Sequence, residues 1–397
     1  MEHEYDYLIV GGGMAADAAA KAIRAADATA GIGIVGAEAE APYERPPLSK
    51  ALWKGDKSLG SIDLGTAASG ARLHLGRRVE ALDRAARRVR DARGDSYRYR
   101  RLLLATGAMP RRLPLADDDR VIHFRTVDDY RRLRAHAVAG AHVAVIGGGF
   151  IGSELAASLA GVGCRVTMLF PARSIGSGRY PDGLATFLDD YFRARGVELL
   201  AGVKVVEGRT DDTGVELVLS DGRSLRVAAA VAGLGVTPNT ALAAQAGLAV
   251  DDGVVVDAQL RSSDPNIWAA GDLANFFSPS LGRRLRVEHE NAAVEMGGHA
   301  GRAMAGAGGE FTTLPYFYSD LFDLGYEAVG LLDARLQPVE DWSEPHRKGV
   351  VYYLDGGRVR GVLLWNVWGQ VEAARALIAQ EGPFDAVSLR GRIAHGD

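Results

Sequence analysis

Cysteine is almost absent from this sequence, because only one of its 397 residues, Cys164, is a cysteine. A disulfide framework and a Cys-x-x-Cys redox pair are therefore both excluded. Long apolar runs are lacking as well, since none reaches the roughly 18 residues that a membrane span requires. Cys164 stands at the head of a predicted strand, where we expect a packed thiol rather than a reactive one.

A strong charge of either sign is also missing. The 46 basic and 50 acidic side chains leave a net charge of -4. This balance offers no electrostatic reason to expect a nucleic-acid partner or a polybasic membrane anchor. The acidic start at Met1–Asp6 leads straight into a strand and does not resemble a secretory or transit signal. We therefore expect a cytoplasmic protein without a nucleic-acid, membrane or metal partner.

Glycine is abundant, and it punctuates two similar stretches of the chain. The first runs from an apolar strand at Tyr7–Val10 through a glycine turn and an alanine-rich helix to a strand at Ile32–Val35. The second runs from Val143–Ile146 through a glycine turn and a helix from Ser153 to a strand at Arg165–Phe170. Strand, turn, helix and strand in this order predict a parallel βαβ unit.

The two turns have the spacing of dinucleotide-binding fingerprints. In such a turn the first glycine permits a tight bend, the second lets the backbone approach a pyrophosphate, and the third small residue lets helix and strand pack closely. The helix N-terminus then faces the phosphates. Because two dinucleotides in one chain suggest a flavin and a nicotinamide, we expect an oxidoreductase. The candidate residues are Gly11, Gly13 and Ala16 in the first turn and Gly147, Gly149, Phe150, Ile151 and Gly152 in the second.

The texture of the chain changes after Pro315, where aromatic and alternating segments begin. Gly349–Leu354 and Val359–Trp365 predict an antiparallel pair around Asp355–Gly357. A helix is expected from about Gln370 to Gln380. These elements predict a C-terminal α+β domain.

Several longer motifs carry a resemblance to a known family. They are Pro42–Lys50, Ala105–Gly107, Gly235–Asn239, Ala270–Asp272, Arg286–His289, Tyr318–Asp320 with Gly325–Ala328, and Leu364–Asn366. With these motifs the chain resembles the flavoproteins of the ferredoxin and rubredoxin reductase type, and especially the branch of apoptosis-inducing factor and its bacterial relatives.

The resemblance implies an α/β fold with two Rossmann-like domains, arranged as in glutathione reductase, and a C-terminal α+β domain. The implied FAD-binding domain is discontinuous and covers 1–112 and 240–313. The NAD(P)H-binding domain would cover 113–239, and the C-terminal domain 314–397.

The resemblance also implies which residues hold the cofactors. The first glycine turn would bind FAD, the second would bind the nicotinamide dinucleotide, and Asp272 would hydrogen-bond the ribityl chain of FAD. The remaining contacts are expected at Arg45, Pro46, Lys50, Ala105, Thr106, Gly107, Arg111, Gly235, Glu288 and Tyr318.

Three residues are expected to take part in catalysis. Lys50 and Glu154 match a lysine–glutamate pair of the family, in which the lysine would stabilise negative charge on reduced flavin. From spacing alone, a solvated Lys50 and a helix-capping Glu154 are favoured, and the context of the family motifs reverses this preference. Phe150 matches an aromatic gate over the flavin. His289 matches a histidine near the nicotinamide, with a structural role as the alternative, and Tyr318 is either a stacking ring or a core residue.

The sequence departs from the family pattern in two places. The acid that usually holds the adenosine ribose is displaced to Glu38. After the strand that ends at Phe170, a carboxylate is replaced by Arg173, with Arg179 later in the same loop. Arginine would pair with a 2′-phosphate, so we expect NADPH to be accepted at least as well as NADH. Solvated loop arginines are the alternative.

Electrons from the flavin must leave directly, because no cysteine pair exists to take them. The leading hypothesis is delivery to a ferredoxin-like iron–sulfur protein, with Arg283, Arg284 and Arg286 as a candidate docking patch. One alternative is a redox sensor or scaffold similar to apoptosis-inducing factor, with a long-lived reduced-flavin complex. Another is reduction of a small acceptor such as a quinone or monodehydroascorbate. A monomer or a homodimer is expected.

Overall fold

A computed structural model describes residues 1–115 and 118–396 of the chain. These residues form two compact units. The first unit contains Met1–Glu44, Leu59–Met109 and Thr237–Pro315. The second contains Arg45–Ser58, Pro110–Val236 and the chain from Tyr316 onward.

The first unit is built on a mainly parallel sheet. Its strands follow the order Arg72–His74, Ile32–Val35, Glu2–Val10, Ser96–Leu104, Arg88–Asp91 and Val79–Asp83, and Ile267–Ala269 also pairs with Ser96–Leu104. Val10 lies opposite both Val35 and Leu104, so the predicted parallel strands align at their carboxyl ends. The apolar run Leu8–Val10 is fully buried, as expected for strands covered on both faces. A smaller sheet joins Val254–Val255, Ala274–Ser278 and Arg283–Leu285.

Two helices of the first unit approach each other unusually closely. A side chain at Gly297 would place its Cβ 2.3 Å from the Ala15 carbonyl oxygen, and one at Gly301 would lie 2.6 Å from that of Ala19. Glycine at these positions therefore lets the two helix backbones touch. The helices of this unit are Met14–Ala26, Ala241–Gln245 and Glu290–Met304, with 3₁₀ turns at Leu59–Ile62, Thr66–Ser69 and Gly271–Leu273.

The second unit contains another parallel sheet. Its strand order is Val197–Ala201, Arg165–Phe170, His142–Ile146, Ala229–Ala232 and Val121–His123. Its helices are Val127–His136, Phe150–Gly161 and Asp182–Ala194, and an antiparallel sheet joins Val205–Asp211, Gly214–Leu219 and Ser224–Val227. The Phe150–Gly161 helix begins three residues before the predicted start at Ser153, because Gly149 is its N-cap.

The C-terminal part of the second unit is an antiparallel sheet followed by helices. Its strand order is Tyr316–Leu321, Leu324–Gly330, Arg358–Trp365, Lys348–Asp355 and Gln337–Glu344. The helices are Val371–Ile378 and Ala386–Leu389. The predicted hairpin is confirmed, since Lys348–Asp355 and Arg358–Trp365 pair antiparallel. The predicted helix is also present, and it is slightly shorter than expected.

Four short elements complete the described chain. Pro46–Ser49 is a 3₁₀ turn, Ala51–Lys54 is a helix, and Ala108–Pro110 and Val236–Pro238 are strands where the chain passes between the units. The predicted α/β class, with two sheets of the dinucleotide-binding type and a C-terminal α+β part, is confirmed. Among residues 1–115 and 118–396, no helix has the length and apolar character needed to cross a bilayer.

Candidate cofactor and electron-transfer sites

The first glycine turn fits a bound dinucleotide. Gly11 has a φ of +126°, and a Cβ there would lie 2.0 Å from the Ala105 carbonyl oxygen. Only glycine therefore lets these two chain segments approach. The helix that follows has Gly13 as its N-cap and no side chain capping its N-terminus, so its first amides are available to a phosphate. Ala16 is fully buried, as close packing of helix and strand requires.

Other predicted FAD contacts surround the same sheet edge of the first unit. Asp272 is buried in a 3₁₀ turn directly after the strand that ends at Ala269. Thr106 exchanges hydrogen bonds with Asn239, whose Nδ2 donates to the Thr106 carbonyl at 2.7 Å and whose backbone amide donates to Gly107 at 2.9 Å. These bonds hold the Ala105–Gly107 turn in place. Asn239 belongs to the Gly235–Asn239 motif, and its amide side chain supplies one of these bonds.

The displaced acid Glu38 follows the Ile32–Val35 strand and is half-buried. The Tyr43 hydroxyl donates to Glu38 Oε2 at 2.5 Å. This hydrogen bond orients the carboxylate in the loop. A role toward the adenosine ribose stays a prediction.

His289 is the N-cap of the Glu290–Met304 helix and is half-buried. Burial lowers the pKa of His289 to about 4, and the negative charge of Asp272 opposes this shift only in part. The imidazole is therefore neutral at physiological pH. The neighbouring Glu288 is exposed, and its carboxylate accepts a hydrogen bond from Arg286 at 2.9 Å.

The second glycine turn has the same construction within the second unit. Gly147 has a φ of +120°, and a Cβ there would lie 2.4 Å from the Gly233 carbonyl oxygen. A Cβ at Gly152 would lie 1.9 Å from the Gly147 carbonyl oxygen, whereas one at Gly149 would meet nothing within 4 Å. Two glycines are therefore required by packing, and the middle one faces open space that a pyrophosphate can approach. No side chain caps the helix that Gly149 begins.

A buried ion pair lies beside this helix. Lys50 Nζ donates to Glu154 Oε2 at 2.7 Å, and the two residues are only 8% and 2% exposed. Both alternatives from spacing, a solvated Lys50 and a helix-capping Glu154, are thereby wrong. The pair's effect on a flavin stays a prediction. Ser49 and Ser319, which the sequence did not single out, donate to the same carboxylate at 2.6 Å each.

Aromatic rings cluster at the start of the same helix. The ring of Phe150 lies 4.8 Å from that of Phe317, and the Arg179 guanidinium lies 4.5 Å from the centre of the Phe150 ring. Tyr318 is half-buried, and its ring centre lies 5.1 Å from Lys50 Nζ. Phe317 was not among the predicted residues, although it directly precedes Tyr318 in the aromatic strand Tyr316–Leu321. Ile151 is 39% exposed in the first turn of the helix.

Two family models match separate stretches of the chain. Residues 5–297 match the model described as pyridine nucleotide-disulphide oxidoreductase. Residues 339–380 match the C-terminal model of mitochondrion-associated apoptosis-inducing factor. The chain belongs to the pyridine nucleotide-disulphide oxidoreductase family. Membership of this family implies FAD and a nicotinamide cofactor, and the two glycine turns fit both.

Proteins similar to this chain include ferredoxin and putidaredoxin reductases. The ferredoxin–NAD(+) reductase component of the anthranilate 1,2-dioxygenase system of Burkholderia cepacia is 37% identical over 380 residues, covering 94% of each chain. Putidaredoxin reductase CamA of Pseudomonas putida is 34% identical over 390 residues, covering 95% of this chain and 92% of its own. The covalent putidaredoxin reductase–putidaredoxin complex matches with a TM-score of 0.89 and 31% identity, over 96% of this chain and 94% of that one.

The family's name refers to a disulphide, but this member has no cysteine pair. Cys164 is buried, and its Sγ lies 3.5 Å from the Val138 carbonyl oxygen. Burial raises the pKa of the Cys164 thiol, which disfavours the reactive thiolate. The predicted packed thiol is confirmed. Within the described ranges, no group of three metal-ligating side chains is found.

The two loop arginines of the second unit have different surroundings. Arg173 is highly exposed and forms an ion pair with the exposed Asp182. Arg179 is half-buried over the Phe150 ring, and its backbone carbonyl accepts a hydrogen bond from Tyr353 at 2.8 Å. The structure therefore does not bring them together on one shared partner.

Three further predicted contacts lie in the second unit. Arg45 Nη1 donates to the Arg125 carbonyl at 3.0 Å, and Pro46 opens the 3₁₀ turn that precedes Lys50. Arg111 is exposed, and its backbone amide donates to the Gly235 carbonyl at 2.9 Å. Their contacts with a cofactor stay predictions.

Of the three arginines predicted as a docking patch, one is shielded in the structure, and docking itself stays a prediction. Arg286 is not a surface cation, because its side chain is 9% exposed and is paired with Asp252 and Glu288. Arg284 donates to the carbonyls of Val256, directly after the Val254–Val255 strand, and of Asn275 in the Ala274–Ser278 strand. Arg283 and Arg284 are both exposed, so these two residues keep the character of patch residues. The positions of the arginines in the sequence do not reveal the acids and carbonyls with which they pair in the folded chain.

Proposed function

We propose that the protein is a ferredoxin–NAD(P)+ reductase, which takes a hydride from a nicotinamide dinucleotide and passes electrons singly to a small iron–sulfur protein. The observation that carries the proposal is the sole cysteine, which is buried and has a raised pKa. A chain of this family without an accessible thiol pair has to release its electrons from the flavin. The names of the Burkholderia and Pseudomonas relatives, a ferredoxin reductase component and a putidaredoxin reductase, support the same acceptor class.

In this function, each group of site residues would have a separate role toward the two cofactors. The first glycine turn with Asp272 would hold FAD, and the second glycine turn would hold the nicotinamide dinucleotide. FAD supplies a ring that accepts a hydride and can release its two electrons one at a time. Lys50 would place a positive charge beside the flavin, where negative charge develops on reduction, and Glu154 would hold that lysine in position. His289, neutral because of its lowered pKa, would orient the nicotinamide without adding charge.

The test is anaerobic stopped-flow reduction of the holoenzyme, followed by mixing with a [2Fe–2S] ferredoxin. We expect flavin bleaching with NADH or NADPH and then one-electron reoxidation with simultaneous loss of the ferredoxin's visible absorbance. A quinone and monodehydroascorbate serve as competing acceptors. Fast reoxidation by either small molecule and none by any ferredoxin tried would reject the proposal.

A second candidate function rests on the match of residues 339–380 to the apoptosis-inducing factor C-terminal model. A redox sensor of that kind would keep its reduced flavin for a long time and would change its oligomeric state on reduction. Slow reoxidation by every acceptor, together with an NADH-dependent shift in light scattering between monomer and dimer, would favour it over the reductase.

We further propose that NADPH is accepted at least as well as NADH. Arg173 follows the strand that ends at Phe170, where a carboxylate would repel a 2′-phosphate. Its exposed partner Asp182 offers only weak competition, since exposed ion pairs contribute about 0–1 kcal/mol. Arg173→Ala should lower kcat/KM for NADPH several-fold and leave NADH unchanged. A strong NADH preference that this substitution does not alter would contradict the proposal.

The domain bounds and the location are proposals of the same kind. We propose a FAD-binding domain at 1–112 and 240–313, a nicotinamide domain at 113–239 and a C-terminal domain at 314–397, in a cytoplasmic monomer or homodimer. Limited proteolysis with mass spectrometry tests the bounds, which predict cleavage near residues 113, 240 and 314.

A further inference from the structure

Both oxygens of the buried Glu154 carboxylate are occupied by donors. Oε2 accepts from Lys50 Nζ at 2.7 Å and from the Ser49 hydroxyl at 2.6 Å. Oε1 accepts from the Ser319 hydroxyl at 2.6 Å. Ser49 and Ser319 are 2% and 1% exposed, so water does not replace either bond.

A desolvated carboxylate needs this set of donors. Burying a charge is costly unless it is both paired and hydrogen-bonded, and Lys50 reaches only one of the two oxygens. Among the described residues, Ser319 alone donates to Oε1. Loss of its hydroxyl would leave a buried acceptor unsatisfied and would free the carboxylate to turn toward Ser49 or away from Lys50.

Ser319 comes from a distant part of the chain. It lies on the Tyr316–Leu321 strand, in the interval between the two stretches that the family models match. Its neighbours contact the same segment around Lys50: the Tyr318 ring faces Lys50 Nζ at 5.1 Å, and Asp320 lies 3.9 Å from Lys54. The strand therefore touches the lysine segment at successive residues.

We propose that Ser319 is a positioning residue that acts through Glu154 to hold the Lys50 ammonium in place, with Ser49 as its counterpart on the other oxygen. The C-terminal sheet thereby contributes directly to the geometry of the ion pair. This inference rests on the proposed function only in taking Lys50 as the group that acts on the flavin.

The test is a double-substitution cycle between Ser319→Ala and Glu154→Gln. We expect Ser319→Ala to lower the rate constant of flavin reduction by NADH about tenfold, the order of one hydrogen bond to a charged group, without changing the Kd of the nucleotide. In the Glu154→Gln background the same substitution should have little further effect, because the carboxylate through which Ser319 acts on Lys50 is absent. Ser319→Thr keeps the hydroxyl and should restore most of the rate.

Infrared spectroscopy gives a readout that does not depend on activity. The carboxylate band of Glu154, taken from the wild-type minus Glu154→Gln difference spectrum, should shift in Ser319→Ala. Ser69→Ala is the matched control, since it removes another buried hydroxyl, one that donates to the Thr66 carbonyl at 2.7 Å. It should leave both the band and the reduction rate unchanged.

The outcomes separate the two claims. Equal losses of rate on Ser319→Ala with and without Glu154→Gln, or an unshifted carboxylate band, would overturn the role of Ser319. If Ser319→Ala retains no flavin, the same cycle is measured on the unfolding midpoint of the apoprotein, where strictly additive shifts would overturn it. Failure to reduce any ferredoxin would reject the proposed function and leave this cycle interpretable.

Discussion

The contact between Lys50 and Glu154 is a buried ion pair, for which we propose a chemical role in addition to its effect on stability. Removing one member of a buried ion pair leaves an unpaired charge and costs about 3–5 kcal/mol, whereas replacing both is often nearly neutral. The two effects can therefore be separated by substitution.

Lys50→Met and Glu154→Gln should each destabilise the protein, and the double variant should recover most of that loss. The rate of flavin reduction should fall about a hundredfold in Lys50→Met and should stay low in the double variant, because the charge is absent in both. Denaturant unfolding and stopped-flow reduction measure the two quantities. A double variant with restored rate would mean that Lys50 acts on stability alone.

The lowered pKa of His289 predicts a pH dependence with a definite sign. Its folded-state pKa of about 4 lies below the ordinary 6.5, so the unfolded state binds the proton more readily. The stability that comes from a neutral His289 is complete above about pH 6.5 and is lost as the pH falls toward 4.

Unfolding midpoints between pH 7 and 4 should therefore fall less steeply in His289→Gln than in the wild type. His74, whose pKa burial also lowers to about 4, titrates in the same interval, and His74→Gln is the control that isolates its share. An imidazole resonance of His289 that titrates near pH 6.5 in NMR would refute the assignment.

At the scale of one structural element, the second glycine turn contains one glycine that packing requires and one that we propose faces the ligand. A Cβ at Gly152 would strike the Gly147 carbonyl at 1.9 Å, whereas one at Gly149 would enter open space. The two alanine variants therefore form a matched pair in the same turn.

Gly152→Ala should lower the free energy of unfolding by about 1–3 kcal/mol or more through overpacking. Gly149→Ala should change it by no more than about 1 kcal/mol and should raise the KM for the nicotinamide dinucleotide about tenfold. Thermal unfolding and steady-state kinetics separate the two. Equal losses of stability would show that Gly149 also serves packing.

Local patterns predicted the elements but not their distant partners. The glycine spacing located both turns, because turn, helix start and close packing are set by a few consecutive residues. Ser319 and Glu154 are 165 positions apart, and the residues next to either of them in the sequence do not predict their hydrogen bond. Arg286 is a partly similar case, because its partner Asp252 lies 34 positions away along the chain, although Glu288 is close in sequence.

For the whole molecule, the electron path can be tested by removing the chain's only thiol. Cys164→Ala should leave the NADH-dependent reduction of ferredoxin within about twofold of the wild type, because a buried thiol with a raised pKa takes no part in the transfer. Cytochrome c reduction coupled through ferredoxin measures this. A loss of activity at unchanged flavin content would mean that the Cys164 thiol takes part in the electron transfer.

The burial of Cys164 also makes the chain convenient for site-specific labelling. A maleimide reagent should ignore the native thiol, so one cysteine introduced at an exposed position such as Arg283 would be the single attachment point. A spin label or fluorophore placed there would report distances to a bound electron acceptor without any background from the protein's own sulfur.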